Sequence, residues 1–334
     1  MRVVASRCDA LIPMTVFVSI ASYCDPVLGF TLGRALATAR WPDQLHFGVV
    51  DQSPAGAPQP PAADVRPARL SYVRIDPLYA RGPCWARAIA MSLYDGEQWF
   101  FQIDSHMDFD PRWDERLMAQ ALALLPGRQG LVLSAYPNAF AFEGGQVIRR
   151  PCTDKVLAHV VKPGSGFEPD HPVLGFEAHP VDQNTAVPGF HVAAGCLFAP
   201  GQFVQAFPYD PFYYFHGEEQ ALAARLFTHG WDIFHMPSQP VYHLYNTGES
   251  GAPPRPMHWD AAHDTQRQLT WWTLEQRSRA RLAALLVGEP LGVYGLGRVR
   301  SMADYAAFSG IDYAARTLAP RAFRPLGTAA AQAC

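Results

Sequence analysis

Trp99-Phe100-Phe101-Gln102-Ile103-Asp104-Ser105-His106 is the stretch that decides how this chain is read. A short apolar run rich in aromatic and β-branched residues reads as a buried strand, and the change to Asp-Ser-His marks its carboxyl end. Alternate residues of a strand share a face, so Asp104 and His106 point the same way and together can grip one cation. In open α/β sheets ligands gather just beyond the carboxyl ends of the strands, which puts the triplet where a site is expected. Alone, an Asp-x-His is a weak motif, because a strand-end aspartate capping a turn beside a hydrogen-bonded histidine spells the same letters.

The flanking sequence supplies the scaffold. Upstream, Thr15 to Ile20 reads as a first strand, and Asp25-Pro26 as an N-cap followed by proline at the first helical position. That helix is expected to run to about Arg40 and stop at Trp41-Pro42. Leu45 to Asp51 is a second strand, 53–67 a Pro/Ala-rich loop, Leu70 to Ile75 a third strand, and Gly82 to Tyr94 a helix. Downstream, Asp108 is expected to be a solvated loop residue. Asp110-Pro111 is expected to cap a helix through Leu125, and Leu131 to Ala135 returns as a strand. This alternation predicts an α/β fold with a mostly parallel sheet flanked by helices.

The second half is less regular. Residues 139–149 read as a hairpin around Glu143-Gly144-Gly145, and His191 to Ala199 as a strand broken by Gly195. Gly217 to His229 is a helix with Glu218 and Glu219 near its positive N-terminal end. Trp231 to His235 and Val241 to Tyr245 are short strands, and Asp260 to Leu286 a long amphipathic helix in which Trp271-Trp272 packs. The last thirty or so residues read as a loosely packed tail.

Composition bounds the function. In 334 residues, 49% are hydrophobic and 17% charged, which supplies a core and argues against global disorder. A formal charge of −3 lacks the basic stripe of a nucleic-acid binder. The cysteines Cys8, Cys24, Cys84, Cys152, Cys196 and Cys334 are scattered with no CxxC pair, so they read as reduced thiols of a cytoplasmic protein. The apolar stretch Met14 to Ala21 is shorter than a membrane span and reads as the first strand rather than a signal peptide.

A metal at Asp104 and His106 needs a third ligand. His243 stands at the end of a short strand, and His258 and His263 follow it; chemistry alone does not choose among them. Two nitrogens and an oxygen suit Mn2+ better than Ca2+, which prefers oxygen only; Mg2+ is the alternative cation. A 2-His-1-carboxylate iron oxygenase is an alternative, although its ligands normally run His-x-Asp then His in an all-β barrel. A metallophosphoesterase would place Asp-x-His on the first strand and add Gly-Asp and Asn-His signatures, which are missing. A non-catalytic nucleotide-sugar-binding protein is the remaining alternative.

Several separated motifs then occur in a familiar order. Gly189 to Phe198 reads Gly-Phe-His-Val-Ala-Ala-Gly-Cys-Leu-Phe; Phe215-His-Gly-Glu-Glu opens a helix; Pro240-Val-Tyr-His-Leu-Tyr follows. Together with Asp-Ser-His these resemble the GT-A polypeptide N-acetylgalactosaminyltransferases. Phe17 to Tyr23, Arg81 to Arg87 and Gln102 to Met107 are more similar still to the cytoplasmic UDP-GlcNAc:hydroxyproline polypeptide N-acetylglucosaminyltransferases. The resemblance covers roughly 14–260. It implies a GT-A domain over 1–260, with a helical C-terminal extension over 261–334 packed on it and a partly flexible tail. It also implies a UDP-sugar donor, a divalent cation, retention of configuration, and a hydroxyl acceptor, for which a polypeptide is one candidate.

By the resemblance, Asp104, His106 and His243 bind the metal. Ser19, Ala21 and Tyr23 line the uridine pocket, and Asp51 bonds the uracil edge. Arg81 and Arg87 approach the diphosphate, Gly195 lets the backbone near the donor sugar, and Glu218 or Glu219 meets sugar hydroxyls or the acceptor. The lectin module and membrane anchor of the animal N-acetylgalactosaminyltransferases have no counterpart in this sequence.

Overall fold

The strand that opens the sheet, β1 (Val16–Tyr23), is buried through Ile20 and becomes partly exposed only at its carboxyl end. The computed structural model describes residues 12–58, 65–151, 155–246, 251 and 253–327. β1 leads into α1 (Leu28–Thr38), β2 (Leu45–Gln52), β3 (Arg69–Arg74), α2 (Pro83–Met91) and β4 (Trp99–Asp104). β5 (Met107–Phe109), α3 (Trp113–Leu124), β6 (Leu131–Ser134), β7 (Asn138–Glu143) and β8 (Gln146–Arg150) follow. Then come β9 (Val156–Val161), β10 (Phe176–Val181), β11 (Val187–Gly189), β12 (Cys196–Pro200), α4 (Phe203–Ala206), α5 (Glu218–Thr228), β13 (Asp232–His235) and β14 (Val241–His243). The chain closes with α6 (Ala261–Asp264), α7 (Trp271–Leu286), α8 (Met302–Ser309), β15 (Ile311–Asp312) and β16 (Thr317–Leu318).

Eight strands form the central sheet in the order β11-β13-β6-β12-β4-β1-β2-β3. β4, β1, β2 and β3 are mutually parallel, β13 is parallel to β6, and β12 runs antiparallel between β4 and β6. A strand buried at every residue, as β2 is, requires cover on both faces. Leu28, Leu32 and Ala35 of α1 with Trp113, Leu117 and Ala121 of α3 close one face. Cys84 and Met91 of α2, Ala221 to Leu226 of α5, Leu282 and Leu285 of α7 and Tyr305 of α8 close the other.

A second, four-stranded sheet, β5-β14-β7-β8, sits at the carboxyl edge of the first. The chain passes from one sheet to the other at Ser105-His106, between β4 and β5. β14 runs antiparallel to β5 with His243 opposite Met107, and the Leu244 N–H donates to the His106 carbonyl at 3.0 Å. Backbone pairing therefore carries His243 to His106 across a long span of sequence. β7 and β8 form the expected hairpin; Gly144 (φ 56°) and Gly145 (φ 81°) supply the paired positive φ angles of its two-residue turn.

Four local expectations are corrected. Asp108 is fully buried, not solvated: it bonds Arg34 Nε (2.6 Å) and Arg149 Nε (2.8 Å). Asp110 does not cap α3 but pairs with Arg116 and Arg149. The long helix from Asp260 is broken into α6 and α7, because the Thr270 side chain caps α7 afresh by accepting the Thr273 N–H. The C-terminal residues are no loose tail through Leu326: Tyr305, Ile311, Tyr313 and Ala322 are buried in the core around α5, and the Tyr305 hydroxyl donates to the Phe190 carbonyl at 2.7 Å. Cys24, Cys84 and Cys196 are free thiols; Cys8, Cys152 and Cys334 lie outside the described residues. Among the described residues no helix is long and apolar enough to cross a membrane.

Candidate active site

A cavity of about 520 Å³ opens at the carboxyl ends of β1 and β4, beneath β14 and the segment after it. Asp104 ends β4 on its floor. His243 Nε2 lies 3.2 Å from Asp104 Oδ2, and the His106 and His243 rings are 4.6 Å apart. Ligand atoms of Asp104, His106 and His243 all fall within 4.8 Å of one another. Gly195 makes this possible. The Asp104 N–H donates to the Gly195 carbonyl at 3.2 Å, and a Cβ at Gly195 would stand 2.2 Å from Asp104 Oδ2.

Burial alone would raise the Asp104 carboxyl. The hydrogen bond from His243 and the charges of Arg87 and His106 outweigh it and hold Asp104 well below the usual carboxylate range. Burial lowers His243, and Asp104 only partly offsets this, so the imidazole is neutral with a lone pair to give. His243 Nδ1 is buried with no hydrogen-bond partner among the described residues. His106 is oriented from behind: its Nδ1 is 2.7 Å from Asp25 Oδ2, which also accepts from Ser105 Oγ at 2.6 Å. Two imidazoles and an ionised carboxylate converging on one point fit a divalent cation.

Behind this cluster runs a buried chain of charge. Arg87, on α2, bonds Asp104 Oδ1 at 2.9 Å and Glu218 Oε1 at 2.6 Å. Glu218 also accepts from Cys84 Sγ (2.9 Å) and the Tyr209 hydroxyl (2.7 Å) and is only 5% exposed. Its neighbour on α5 behaves differently. Glu219 accepts from the Ala194 N–H at 2.7 Å and the Tyr136 hydroxyl at 2.9 Å, and His191 Nε2 lies 3.4 Å away, yet its side chain stays 28% exposed toward the cavity. Burial would raise its carboxyl, but the hydrogen bond and charge of His191 and the Ala194 N–H hold it below the ordinary glutamate value.

The expected donor contacts divide. Ala21 and Tyr23 line the cavity. Ser19 does not: it lies one alternation deeper in β1, fully buried, its hydroxyl unpartnered among the described residues. Asp51 does not line it either. Strand alternation turns its carboxylate toward β3, where Ser53 Oγ (2.5 Å), the Tyr72 hydroxyl and Arg74 (3.4 Å) occupy it. The next residue, Gln52, lines the cavity instead, with Nε2 donating to the Ser22 carbonyl at 3.1 Å. Arg81 is exposed outside the wall, its guanidinium 5.9 Å from the Trp85 ring, and Gly82 and Pro83 form the wall there. Of the other histidines, His258 lines the cavity but bonds Tyr214 at 2.6 Å and joins no metal-type cluster among the described residues; the His263 side chain lies outside them.

Three neighbours of the cluster escaped the sequence reading. Asp25 looked like a helix cap, and its Oδ1 does accept the Val27 N–H at 3.0 Å, but Oδ2 serves His106. Arg255 stands in a proline-rich stretch with no periodicity, and Tyr136 follows a strand end with no motif around it. A carboxylate one turn past the first strand, in a fold that gathers strand ends, was the only signal available.

A mostly parallel sheet covered on both faces, with an Asp-x-His at the end of a central strand and a histidine returned by a small second sheet, is the GT-A architecture, and the protein is a glycosyltransferase. The chain belongs to the glycosyltransferase (GlcNAc) family, whose model matches residues 62–315. The fold is similar to the crystal structure of GalNAc-T7 with UDP, GalNAc and Mn2+: TM-score 0.56 and 13% identity over 91% of this chain and 58% of that one. S. aureus TarS also aligns, with TM-score 0.40 and 11% identity over 67% of this chain and 37% of that one. The TarS 1–349 fragment gives TM-score 0.38 and 11% identity over 68% and 61%. The chain thus spans little more than half the length of the GalNAc-T7 chain it matches. No curated protein matches the sequence. The iron-oxygenase alternative fails with the scaffold, which is α/β and not a β-barrel.

Proposed function

We propose that the protein transfers N-acetylglucosamine from UDP-GlcNAc to a hydroxyl group, on a polypeptide, with retention of configuration, using Mn2+ (or Mg2+) held by Asp104, His106 and His243. The observation that carries the reading is the convergence of those three ligand atoms within 4.8 Å on the cavity floor. The family match over 62–315, which spans all three residues, and the UDP, GalNAc and Mn2+ of the GalNAc-T7 structure support it. When bound, the cation supplies Lewis acidity and charge neutralisation to the diphosphate.

The chain's own residues divide the remaining work. Arg87 acts as a positioning residue: both ends of its guanidinium are engaged by Asp104 and Glu218, so it aims the Asp104 carboxylate rather than meeting the donor. Asp25 holds His106 by Nδ1 and leaves Nε2 for the cation. Ala21, Tyr23 and Gln52 wall the uridine end of the cavity. Glu219, pinned by Ala194 and Tyr136 yet partly exposed, accepts hydrogen bonds from sugar hydroxyls; Glu218 is too enclosed to do so. Glu219 is not a strong base, since it already accepts several hydrogen bonds and its carboxyl is held below the ordinary glutamate value, and Glu218 is enclosed by Arg87, Cys84 and Tyr209. The acceptor proton therefore goes to a leaving diphosphate oxygen on the same face of the sugar. Rate comes chiefly from positioning and charge stabilisation.

A UDP-release screen over a UDP-sugar panel, with Mn2+ and with chelator, tests this, followed by mass spectrometry of modified proteins. UDP-GlcNAc turnover that needs the metal is expected. Undiminished turnover in the Asp104→Ala, His243→Ala double variant removes the metal role.

A further inference from the structure

One lone pair cannot serve two cations. His106 Nδ1 is committed to Asp25 Oδ2 at 2.7 Å, which leaves the lone pair on Nε2. Arg255 occupies that side. Its Nη2 stands 3.2 Å from His106 Nε2, while its Nη1 donates to Asp25 Oδ2 at 2.7 Å and contacts the His106 ring at Nδ1. The guanidinium is mostly buried, at 17% side-chain exposure, and lines the same cavity as Asp104 and His243.

We propose that Arg255 is an internal competitor for the divalent cation: its guanidinium donates to the Nε2 lone pair that a metal at Asp104, His106 and His243 must use, so the cation binds only by displacing it. The proposal rests on the cation site put forward above. Two physical terms act in the same direction. The charge-assisted hydrogen bond to Nε2 must be given up, and a guanidinium left this close to a dication is repelled. Asp25 is the anchor that makes the competition effective. Its Oδ2 gathers Ser105, His106 and Arg255 onto one oxygen, so the carboxylate that orients the imidazole also holds the competitor against it. Arg255 thereby sets how tightly the protein binds metal without itself being a ligand.

The experiment is titration of the full chain with Mn2+ alone, following the free-ion signal by electron paramagnetic resonance, with no donor present. Arg255→Ala is expected to bind Mn2+ at least tenfold more tightly than the unaltered protein, about 1.4 kcal/mol. Arg255→Gln, which removes the charge but keeps a donor, should gain less, and Arg255→Lys, which keeps the charge, should stay near the unaltered affinity. Melting curves verify that each variant is folded; if Arg255→Ala is not, Arg255→Gln carries the test with the same sign. His243→Ala serves as the site control. Should the unaltered protein bind Mn2+ in a manner abolished by His243→Ala, while Arg255→Ala binds equally or more weakly, the competition is refuted and the metal site stands. Should neither the unaltered protein nor Arg255→Ala bind Mn2+, the metal site falls and the competition with it.

Discussion

Gly195→Ala puts the geometry of the site under direct strain. Its Cβ would lie 2.2 Å from Asp104 Oδ2, 2.8 Å from Cγ and 3.2 Å from Oδ1. Ordinary carbon–oxygen contact needs roughly 3.4 Å, so the carboxylate must retreat by about 1 Å. Metal–ligand distances tolerate only about ±0.2 Å. The carboxylate has little room to yield, because Arg87 (2.9 Å) and His243 (3.2 Å) fix it from two sides and its own N–H is tied to the Gly195 carbonyl. Disturbing a group that holds a ligand typically lowers metal affinity by about 10- to 100-fold, and the loss here should lie at the upper end because the ligand itself moves. Overpacking costs about 1–3 kcal/mol of stability, so the variant should melt a few degrees lower but remain folded. Gly33→Ala in α1, where an added Cβ meets nothing within 4 Å, is the matched control and should be neutral or stabilising. Calorimetric Mn2+ titration and metal-dependent UDP release are the assays. A folded Gly195→Ala protein that binds Mn2+ with unaltered affinity and turns over donor normally would falsify the assignment of Asp104 as a ligand.

Three further outcomes are expected. Burial depresses His235 from 6.5 to about 4, with the Ser134 carbonyl only partly offsetting it, so the unfolded chain takes up the proton first and stability falls as pH drops from about 6.5 toward 4. At 1.36 kcal/mol per pH unit this contributes about 3 kcal/mol across the window; urea midpoints at pH 7, 5.5 and 4 measure it, and an unchanged slope in His235→Gln speaks against it. Arg87→Ala leaves Glu218 buried without its cation and should cost about 3–5 kcal/mol together with most donor turnover; a melting temperature within a degree of the unaltered protein contradicts the buried ion chain. Glu219→Gln should lose about 100-fold in sugar transfer while UDP alone binds as before, which separate UDP-binding and turnover measurements resolve.

The fold was legible because its signals are local. The apolar runs of β1 and β4 and the Gly144-Gly145 turn each state their own conformation within a few residues, whereas Asp25-Pro26 makes a turn before α1 rather than its cap, since α1 starts at Leu28 with Val27 at the N-cap and no side-chain cap bond. Asp104 and His106 stood out for the same reason, lying at and just past a strand end in a fold that places ligands there, whereas Gly195, read as a break in a strand, lies just before β12 against Asp104. Errors arose where a side chain's partner is distant in sequence. Asp51 and Gln52 are adjacent, and only the pairing of β2 with β3 reveals that Asp51 is taken by Tyr72 and Arg74 while Gln52 faces the cavity. Asp108 carries no local mark of its two arginines, from α1 and β8.

Periodicity and strand-end chemistry suffice for the α/β class, because hydrophobic pattern and backbone preference act over neighbouring residues. They also point to the first pair of candidate ligands, but β4 ends at Asp104 and His106 lies in the bend before β5, so that bend and not alternation along one strand brings the two together. The choice of His243 over its rivals needed the antiparallel register of β14 on β5. The enclosure of Glu218 beside the partial exposure of Glu219 needed the packing of α5 against α2 and Tyr209. The placement of Arg255 on His106 needed a chain that returns to its own beginning at Asp25. Hydrogen bonds and charge depend on distance in space, and that distance is set by packing whose terms no single stretch of the chain contains.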